Sequence, residues 1–275
     1  MTAEIENQNT LNQFRTILGW NRASFTLMSS FLVIVFVIIY FWWPLAEEYL
    51  TLIDWGGAWW RYIDWLLIGI FAFMSLMIMA HADLRVDTLM IAIGIVGGLV
   101  IESWGTQTEI WSYYTAERPP LWIIPAWPIA SLTIDRMVRI LRRLAPRTNS
   151  SYFRWLYWLI FPTFFMLMVS YVWPTIDKSM TGITLTLVIF LIITPTNYRT
   201  AVLTFLAGSS LGYFLELWGT TRLCWIYYTL DSPPIFAVFA HGMAAVAFWR
   251  AGLLLDKVSQ SWFGFKLIQP KYSPH

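Results

Sequence analysis

The sequence predicts an all-α polytopic membrane protein of about eight transmembrane helices, arranged as two tandem four-helix repeats. Two observations support this fold class. Of the 275 residues, 58% are hydrophobic and only 12% are charged, whereas charged residues make up about a quarter of an ordinary soluble domain. In addition, one segment of the chain recurs further along it. Lipid is therefore the expected solvent for most of this chain.

The predicted helices follow from the length of the apolar runs. A helix needs about 20 mostly apolar residues to cross a hydrocarbon core of about 30 Å. Such runs occupy eight stretches of the sequence, at about 24–46, 63–81, 86–104, 120–138, 155–174, 181–196, 200–218 and 234–254. The sixth run is short, so six or seven spans remain open. The first run is too long for the apolar part of a signal peptide and is predicted to be a retained helix.

The basic residues predict the orientation. With eight spans, most Lys and Arg residues fall on one side of the membrane, which the positive-inside rule makes the cytoplasmic side. Both termini are then cytoplasmic, in the cytoplasmic (inner) membrane. The net charge of +2 predicts no nucleic-acid partner. The expected divisions are an N-terminal segment 1–23, a first repeat 24–138, a basic linker 139–154, a second repeat 155–256 and a C-terminal tail 257–275.

The internal repeat is the most specific feature of the sequence. Residues 85–120 and 199–234 align without a gap at an offset of 114, with 14 identical positions. Each copy contains the motif Glu-x-Trp-Gly-Thr, then a loop rich in Trp and Tyr, then Pro-Pro, which is expected to open the fourth helix. Because each copy has an even number of helices, the copies are predicted to share one topology, related by a pseudo-two-fold axis along the membrane normal.

The first helix of each copy is predicted to end at a Trp-Pro pair. These pairs are Trp43-Pro44 and Trp173-Pro174, and their offset differs from that of the motifs. The halves are therefore expected to differ by an insertion between their first and third helices. The segment 54–60, rich in Gly and Trp, suits an interfacial loop at the outer face.

The motif glutamates, Glu102 and Glu216, are the candidate catalytic residues. Each is expected about one turn inside the outer end of its helix, among apolar neighbours. A carboxyl group at that depth is unfavourable and tends to stay protonated unless it is partnered. A structural role, in which each glutamate accepts hydrogen bonds from its own motif and locks the helix–loop corner, is an equally open interpretation.

The two copies differ at one informative position, since Trp127 in the first corresponds to His241 in the second. His241 is expected about two turns in from Pro234, within reach of Glu216, so the second half gains a candidate acid/base pair. A hydrogen-bonded packing role for His241 remains the alternative. Glu102, Glu216, His241 and Glu109 could supply oxygen and nitrogen ligands to a metal ion. Their spacing in the sequence, however, matches no known metal-binding motif. The sequence therefore predicts no metal and no cofactor.

The motif segment resembles that of a known family. Residues 102–120 read E-S-W-G-T-Q-T, then W-S-Y-Y-T, then P-P, similar to the E-x-x-G…T…Y-x-Y-T pattern of bacterial integral-membrane carotenoid-biosynthesis proteins of the carotenoid hydratase type. The resemblance covers only the motif segments and departs where that family has a Gly-x-Pro-Phe-Gly-like turn. It implies acid/base chemistry (hydration, cyclisation or isomerisation) on a polyprenyl or carotenoid-like lipid at the extracytoplasmic side.

The residues suit such chemistry independently of the resemblance. A protonated glutamate in an apolar pocket can give a proton to an alkene, and aromatic faces stabilise the carbocation that results. Glu102, Glu216 and His241 would then transfer protons. Six aromatic residues are expected to form the walls of the substrate site: Trp104, Trp111, Tyr113, Trp218, Trp225 and Tyr227. For any single tryptophan, a position in the interfacial aromatic belt is the competing interpretation.

Two further classes of function remain open. A non-enzymatic accessory or assembly subunit of a larger membrane complex predicts filled motif corners and an exposed apolar surface. A small-molecule or proton-coupled transporter predicts a cavity that reaches the midplane from water. An enzyme predicts a pocket lined by the motif aromatics and open to lipid beside Glu102 or Glu216. The expected partners are membrane lipid, a hydrophobic isoprenoid ligand and other membrane subunits.

Overall fold

The computed structural model describes residues 19–145 and 150–263 and is 77% helical, which confirms the all-α class. The described residues form eight α-helices: α1 (Arg22–Thr51), α2 (Trp65–Met79), α3 (Leu84–Gln107), α4 (Ala126–Leu144), α5 (Ser150–Val172), α6 (Ser179–Ile193), α7 (Tyr198–Thr221) and α8 (Ile235–Phe263). Strand β1 (Trp111–Tyr113) follows α3, and strand β2 (Trp225–Tyr227) follows α7. Short 3-10 helices, Trp59–Tyr62 and Trp173–Thr175, precede α2 and α6.

Five helices (α1, α3, α5, α7 and α8) are long and apolar enough to cross a membrane, so the chain is an all-α membrane protein. The other three predicted spans are shorter or more polar. Helices α2 and α6 have 15 residues each, and such a helix is about 22 Å long, less than the thickness of the hydrocarbon core. Helix α4 has 19 residues, but its second half carries Arg136, Arg139 and a basic last turn.

The predicted fourth span, 120–138, is displaced by six residues, because α4 begins at Ala126 and not at the Pro119-Pro120 pair. Residues 121–125 form turns instead. A helix that started at Pro120 would place Pro125 and Pro128 in its interior, where each lacks an N–H and collides with a preceding carbonyl. Starting at Ala126 places Pro125 at the N-cap and Pro128 in the first turn, where neither interrupts a hydrogen bond within the helix.

The two Trp-Pro pairs behave differently. Helix α5 ends at Val172 and Pro174 lies in the 3-10 helix that follows, as predicted. Helix α1 instead continues through Pro44 to Thr51, so the predicted end at Trp43-Pro44 is wrong. A helix accommodates an interior proline at the loss of one hydrogen bond and some bending.

The predicted basic linker, 139–154, is largely helical, since α4 extends to Leu144 and α5 begins at Ser150. Within this segment, Arg139, Arg142 and Arg143 lie on the last turns of α4, where cations suit the negative end of the helix dipole, and Arg154 lies on α5. Residues 146–149 lie outside the described part of the chain. So do 1–18 and 264–275, on which the predicted terminal segments mainly depend.

The strands join the two motif loops. They pair antiparallel as Trp111 with Tyr227, Ser112 with Ile226 and Tyr113 with Trp225. Each β1 residue has its repeat counterpart, 114 positions later, in β2. If every residue is replaced by its counterpart in the other strand, the same three pairs result. The register is therefore that of a local two-fold axis through the central pair. Around the strands, α7 packs on α8, α4 and α5, while α3 packs on α4 and α8.

Candidate functional site

The first motif corner is the junction of α3 with the loop that follows it, and its centre is Glu102. Glu102 lies in the last turns of α3 and is only 3% exposed. Its carboxylate accepts three hydrogen bonds from neutral donors. Trp111 Nε1 donates to Oε2 at 3.1 Å, and the Tyr113 hydroxyl donates to Oε1 at 2.9 Å. Trp127 Nε1, on α4, donates to Oε1 at 3.1 Å. Helix, strand and following helix thus converge on one carboxylate.

The second corner repeats this arrangement around Glu216, which is 4% exposed. Trp225 Nε1 donates to Oε2 at 2.8 Å, and the Tyr227 hydroxyl donates to Oε1 at 2.9 Å. The third partner is His241, on α8, with Nε2 at 2.9 Å from Oε1. The predicted proximity of His241 to Glu216 is therefore present. The corners correspond at every position except this third partner.

The Gly and Thr of each motif make the corner possible. A Cβ atom on Gly105 would lie 1.9 Å from Trp111 Cη2, and one on Gly219 would lie 2.0 Å from Trp225 Cη2. Each glycine therefore leaves the space into which the loop tryptophan folds to reach its glutamate. The Thr106 hydroxyl donates to the backbone carbonyl of the motif glutamate at 2.6 Å, as its equivalent does in the second copy.

The motif tryptophans bind the opposite half of the molecule. Trp104 Nε1 donates to Thr181 Oγ1 on α6 at 3.2 Å. Trp218 Nε1 donates to Asp64 Oδ2, at the N-terminus of α2, at 2.9 Å. Both were predicted as walls of a substrate site, and their rings do border the cavity described below. Their N–H groups, however, join the two halves.

The phenols in both corners stay protonated. Burial raises the pKa of Tyr113 well above its ordinary value, and the neighbouring Glu102 carboxylate raises it further. Tyr227 is raised in the same way, by burial and by Glu216. An indole N–H likewise only donates. All three partners of Glu102 are therefore donors, and both of its side-chain oxygens act as acceptors.

The two corners meet through a stacked ring pair. The rings of Trp127 and His241 lie 5.7 Å apart between centroids and are inclined by 18°. Trp127 is bound to Glu102 and His241 to Glu216, so four side chains form one continuous path. The imidazole of His241 can carry its proton on either ring nitrogen, whereas the indole N–H of Trp127 only donates.

One cavity of about 1310 Å³ reaches both corners, and its lining includes all nine predicted site residues. The other lining residues are almost all apolar and extend along α8 from His241 to Lys257, a rise of about 24 Å. Lining residues Val96, Val100 and Leu187 are each more than half exposed, which places an opening at the side of the bundle. The volume exceeds the roughly 300–1,000 Å³ of ordinary ligand pockets.

Trp127 is the site residue that sequence reasoning missed, since it entered only as the counterpart of His241. The signal was available: if His241 contacts Glu216, the repeat offset brings Trp127 to Glu102. Asp64 gave no such signal, because its contact with Trp218 joins residues 154 positions apart. Glu109, named as a potential metal ligand, instead forms an exposed ion pair with Arg118 at 2.7 Å.

Among the described residues, no group of three or more His, Cys, Asp and Glu side chains is placed to hold a metal ion. The site offers two carboxylates and one imidazole, with aromatic faces around them. Comparison of the chain with protein-family models, with curated proteins and with solved structures gives no match. The resemblance to carotenoid hydratase-type proteins rests on the motif residues alone and stays a prediction.

Proposed function

We propose that this protein is an integral-membrane enzyme that carries out acid/base chemistry (hydration, cyclisation or isomerisation) on a polyprenyl or carotenoid-like lipid. The observation that carries the proposal is the long apolar cavity that ends at Glu102, Glu216 and His241. An apolar cavity with a few convergent polar groups is the usual form of a small-molecule site. A cavity about 24 Å long in this direction and open at the side of the bundle suits an elongated hydrocarbon that enters from the bilayer.

The proton-transfer centre is the Glu216–His241 pair. When the pair holds one added proton, it delivers that proton to an alkene carbon of the substrate, whose π electrons form the new C–H bond. The neighbouring carbon becomes a carbocation, which the faces of Trp127 and Trp225 stabilise. Loss of an adjacent proton back to the pair gives isomerisation. Capture by water or by a second double bond, followed by the same proton return, gives hydration or cyclisation.

The proposal includes the architecture of the membrane domain. Helices α1–α4 and α5–α8 form two repeats related by a pseudo-two-fold axis along the membrane normal. The self-symmetric strand register and the exchanged bonds of Trp104 and Trp218 support this relation. The basic residues of α4 lie at the end of the bundle away from the motif loops. They favour cytoplasmic termini and extracytoplasmic motif loops in the cytoplasmic membrane.

Deuterium uptake tests the proposed chemistry whichever product forms. The purified protein is incubated in D2O with lycopene or geranylgeraniol, and the lipid is then analysed by mass spectrometry. Formation of a new C–H bond from the Glu216–His241 pair places deuterium on carbon, so wild type is expected to label one of the two lipids and Glu216→Gln is not. Lipid that binds to wild type without labelling or conversion would contradict the acid/base assignment.

A specific observation favours an accessory subunit as the second candidate. Both carboxylates are buried and each is held by three of the protein's own side chains, as a purely structural corner would be. This function predicts that Glu102→Gln and Glu216→Gln both lose folded protein in detergent. It also predicts a stoichiometric protein partner, without enriched isoprenoid, after gentle purification from the native membrane.

A further inference from the structure

Two arginines at equivalent positions of the two halves have different partners. Arg136, on α4, is 3% exposed and forms ion pairs with Asp87 at 2.7 Å and with Asp135 at 2.8 Å. Its Nε also donates to the Ala80 carbonyl at 3.1 Å. The first half therefore balances this buried cation with two carboxylates of its own.

Arg250, on α8, is the equivalent residue at the repeat offset, and it has lost both counter-ions. The positions that correspond to Asp87 and Asp135 hold Ala201 and Trp249. Arg250 donates instead to the Leu191 carbonyl at 3.4 Å and to Thr194 Oγ1 at 3.1 Å. In the described part of the chain, no carboxylate lies within ion-pair distance of it. A guanidinium has five N–H groups, so three remain for an outside acceptor.

Arg250 also lines the apolar cavity, at the end remote from the glutamates, together with Lys257. Along α8, Arg250 lies about 13 Å from His241 and Lys257 about 24 Å from it. Thr194 and Thr196 line the same end. The nearest acid along the helix, Asp256, accepts a hydrogen bond from Gln260 at 2.7 Å. One end of the cavity thus offers an acid/base pair and the other offers two cations.

We propose that Arg250 and Lys257 bind the phosphate headgroup of the lipid whose hydrocarbon chain occupies the cavity. A cation at the edge of a hydrocarbon region is unfavourable unless it is paired, and Arg250 lacks the partners that Arg136 has. A guanidinium binds phosphate through two parallel N–H bonds, whereas lysine adds a point charge. The inference rests on the proposed function and narrows its substrate class to phosphorylated polyprenyl lipids.

The distance between the two ends determines which part of the substrate reacts. With the phosphate at Arg250 and Lys257, the chain runs along α8 toward His241, so the double bond that meets the Glu216–His241 pair is remote from the phosphate. The proton chemistry then leaves the phosphate ester intact. The phosphate serves to position the chain and takes no part in bond making.

Binding in phosphatidylcholine nanodiscs tests the headgroup site, with native mass spectrometry as the readout. The probes are undecaprenyl phosphate and the uncharged alcohol undecaprenol. Wild type is expected to bind the phosphate at least about tenfold more tightly than the alcohol, as a charge-assisted bidentate pair provides. Arg250→Gln should lose most of this preference and keep only what Lys257 provides, with the alcohol affinity unchanged. Arg250→Lys should retain part of the preference, because it keeps the charge without the planar fork.

The matched control is Arg154→Gln, which removes an exposed arginine of α5 that does not line the cavity and should leave both affinities unchanged. Lys257 is exposed, so Lys257→Gln tests the site even where Arg250→Gln disturbs folding, and it should weaken phosphate binding alone. Equal binding of both probes by wild type, or a full preference in Arg250→Gln, would overturn the headgroup site while leaving the proposed function standing. Failure to bind either probe would overturn the headgroup site together with the polyprenyl substrate of the proposed function.

Competition identifies the source of the phosphate. Retention of undecaprenyl phosphate against an equal amount of phosphatidylglycerol supports the polyprenyl assignment, and displacement overturns it, because any anionic lipid phosphate would then suffice. Displacement by inorganic phosphate at the same concentration overturns the assignment to a lipid, because a free anion would then suffice.

Discussion

The Glu102 and Glu216 corners share one frame and differ in one partner. Both carboxylates receive an indole N–H and a phenol O–H from the following strand at nearly equal distances. The third partner is Trp127 at Glu102 and His241 at Glu216. An indole N–H only donates, whereas a neutral imidazole donates from one nitrogen and accepts at the other. A single substitution thus changes the chemistry that the two corners offer.

The two halves of the molecule differ at both ends of the cavity. The first half has Trp127 at its corner and a self-neutralised Arg136 at the other end. The second half has His241 at its corner and Arg250 without a carboxylate partner. The exchange at the corner keeps a hydrogen bond to the carboxylate but replaces an indole with an imidazole, and the exchange at the other end removes two carboxylates. Under the proposed function, the first half would provide structure and the second would provide the groups that meet the ligand.

The largest expected effect separates the two glutamates. Glu216→Gln should lower deuterium uptake by about 10²- to 10⁴-fold, the usual loss on removal of a general acid or base. Glu102→Gln should lower it by less than about tenfold, because the amide oxygen still accepts the bonds from Tyr113 and Trp127 and only the Trp111 N–H loses its acceptor. The measurement is the initial labelling rate of folded, monodisperse protein. Equal losses in the two variants would abolish the proposed division between the corners.

A smaller loss is expected when the second corner is made to resemble the first. His241→Trp should lower the labelling rate by about 10²-fold, since an indole donates to Glu216 without exchanging its proton. His241→Gln, a smaller side chain that also donates, controls for the size of the indole. Both variants should keep the elution profile of wild type in detergent, and labelling at the wild-type rate in either would show that His241 is only a packing residue.

The motif glycines should affect the two corners equally. Gly105→Ala and Gly219→Ala each place a methyl group against a tryptophan ring and should destabilise the protein by about 1–3 kcal/mol through overpacking. Thermal unfolding in detergent, followed by tryptophan fluorescence, measures the loss. Gly69→Ala is the control, because no neighbouring atom lies within 4 Å of its Cβ position. A wild-type melting temperature for both motif variants would contradict this packing.

The smallest expected effect is the pH dependence of one of the two hydrogen bonds that join the halves. The bond of Trp218 to Asp64 involves a charged group, whereas the bond of Trp104 to Thr181 does not. Partial burial raises the pKa of Asp64, but hydrogen bonds from Leu67 N–H, Arg222 and Trp218 outweigh it and hold the pKa below its ordinary value. A lowered carboxyl pKa contributes stability above the unfolded value of about 3.9, and this stability is lost as pH falls through the folded value. Because Asp64 and Arg222 are partly exposed, the contribution at neutral pH is about 1 kcal/mol.

Two substitutions test this difference. Asp64→Asn should melt below wild type at pH 7 and match it once the pH falls below the folded pKa of Asp64. Thr181→Ala, which removes the neutral bond to Trp104 in the other half, should lower the melting temperature by an amount that does not change across the same acidic range. A constant deficit for Asp64→Asn would mean that the carboxylate charge contributes nothing to the contact.

Local sequence predicted the elements better than their ends. Apolar length predicted roughly where the eight described helices lie, and five of them are long and apolar enough to cross a membrane. The boundaries near proline were less predictable. Helix α1 continues through Pro44, and α4 begins at Ala126, six residues after the expected start at Pro120. Whether a proline ends a helix depends on what satisfies the freed carbonyl and on the prolines that follow it, and only the surrounding structure supplies that.

The part of the candidate site that could be predicted is the part that recurs in the two copies of the repeat. The offset of 114 singles out Glu102, Glu216 and the exchange of Trp127 for His241, because each position of one copy can be compared with its counterpart in the other. The sequence by itself thus determined the membrane character, the two glutamates and the pair at the second corner. Only the tertiary structure decided the stacking of Trp127 on His241, the bond of Trp218 to Asp64 and the cavity that ends at Arg250. Those features join distant segments, and contacts of that kind depend on how helices pack and leave no periodic trace within either segment.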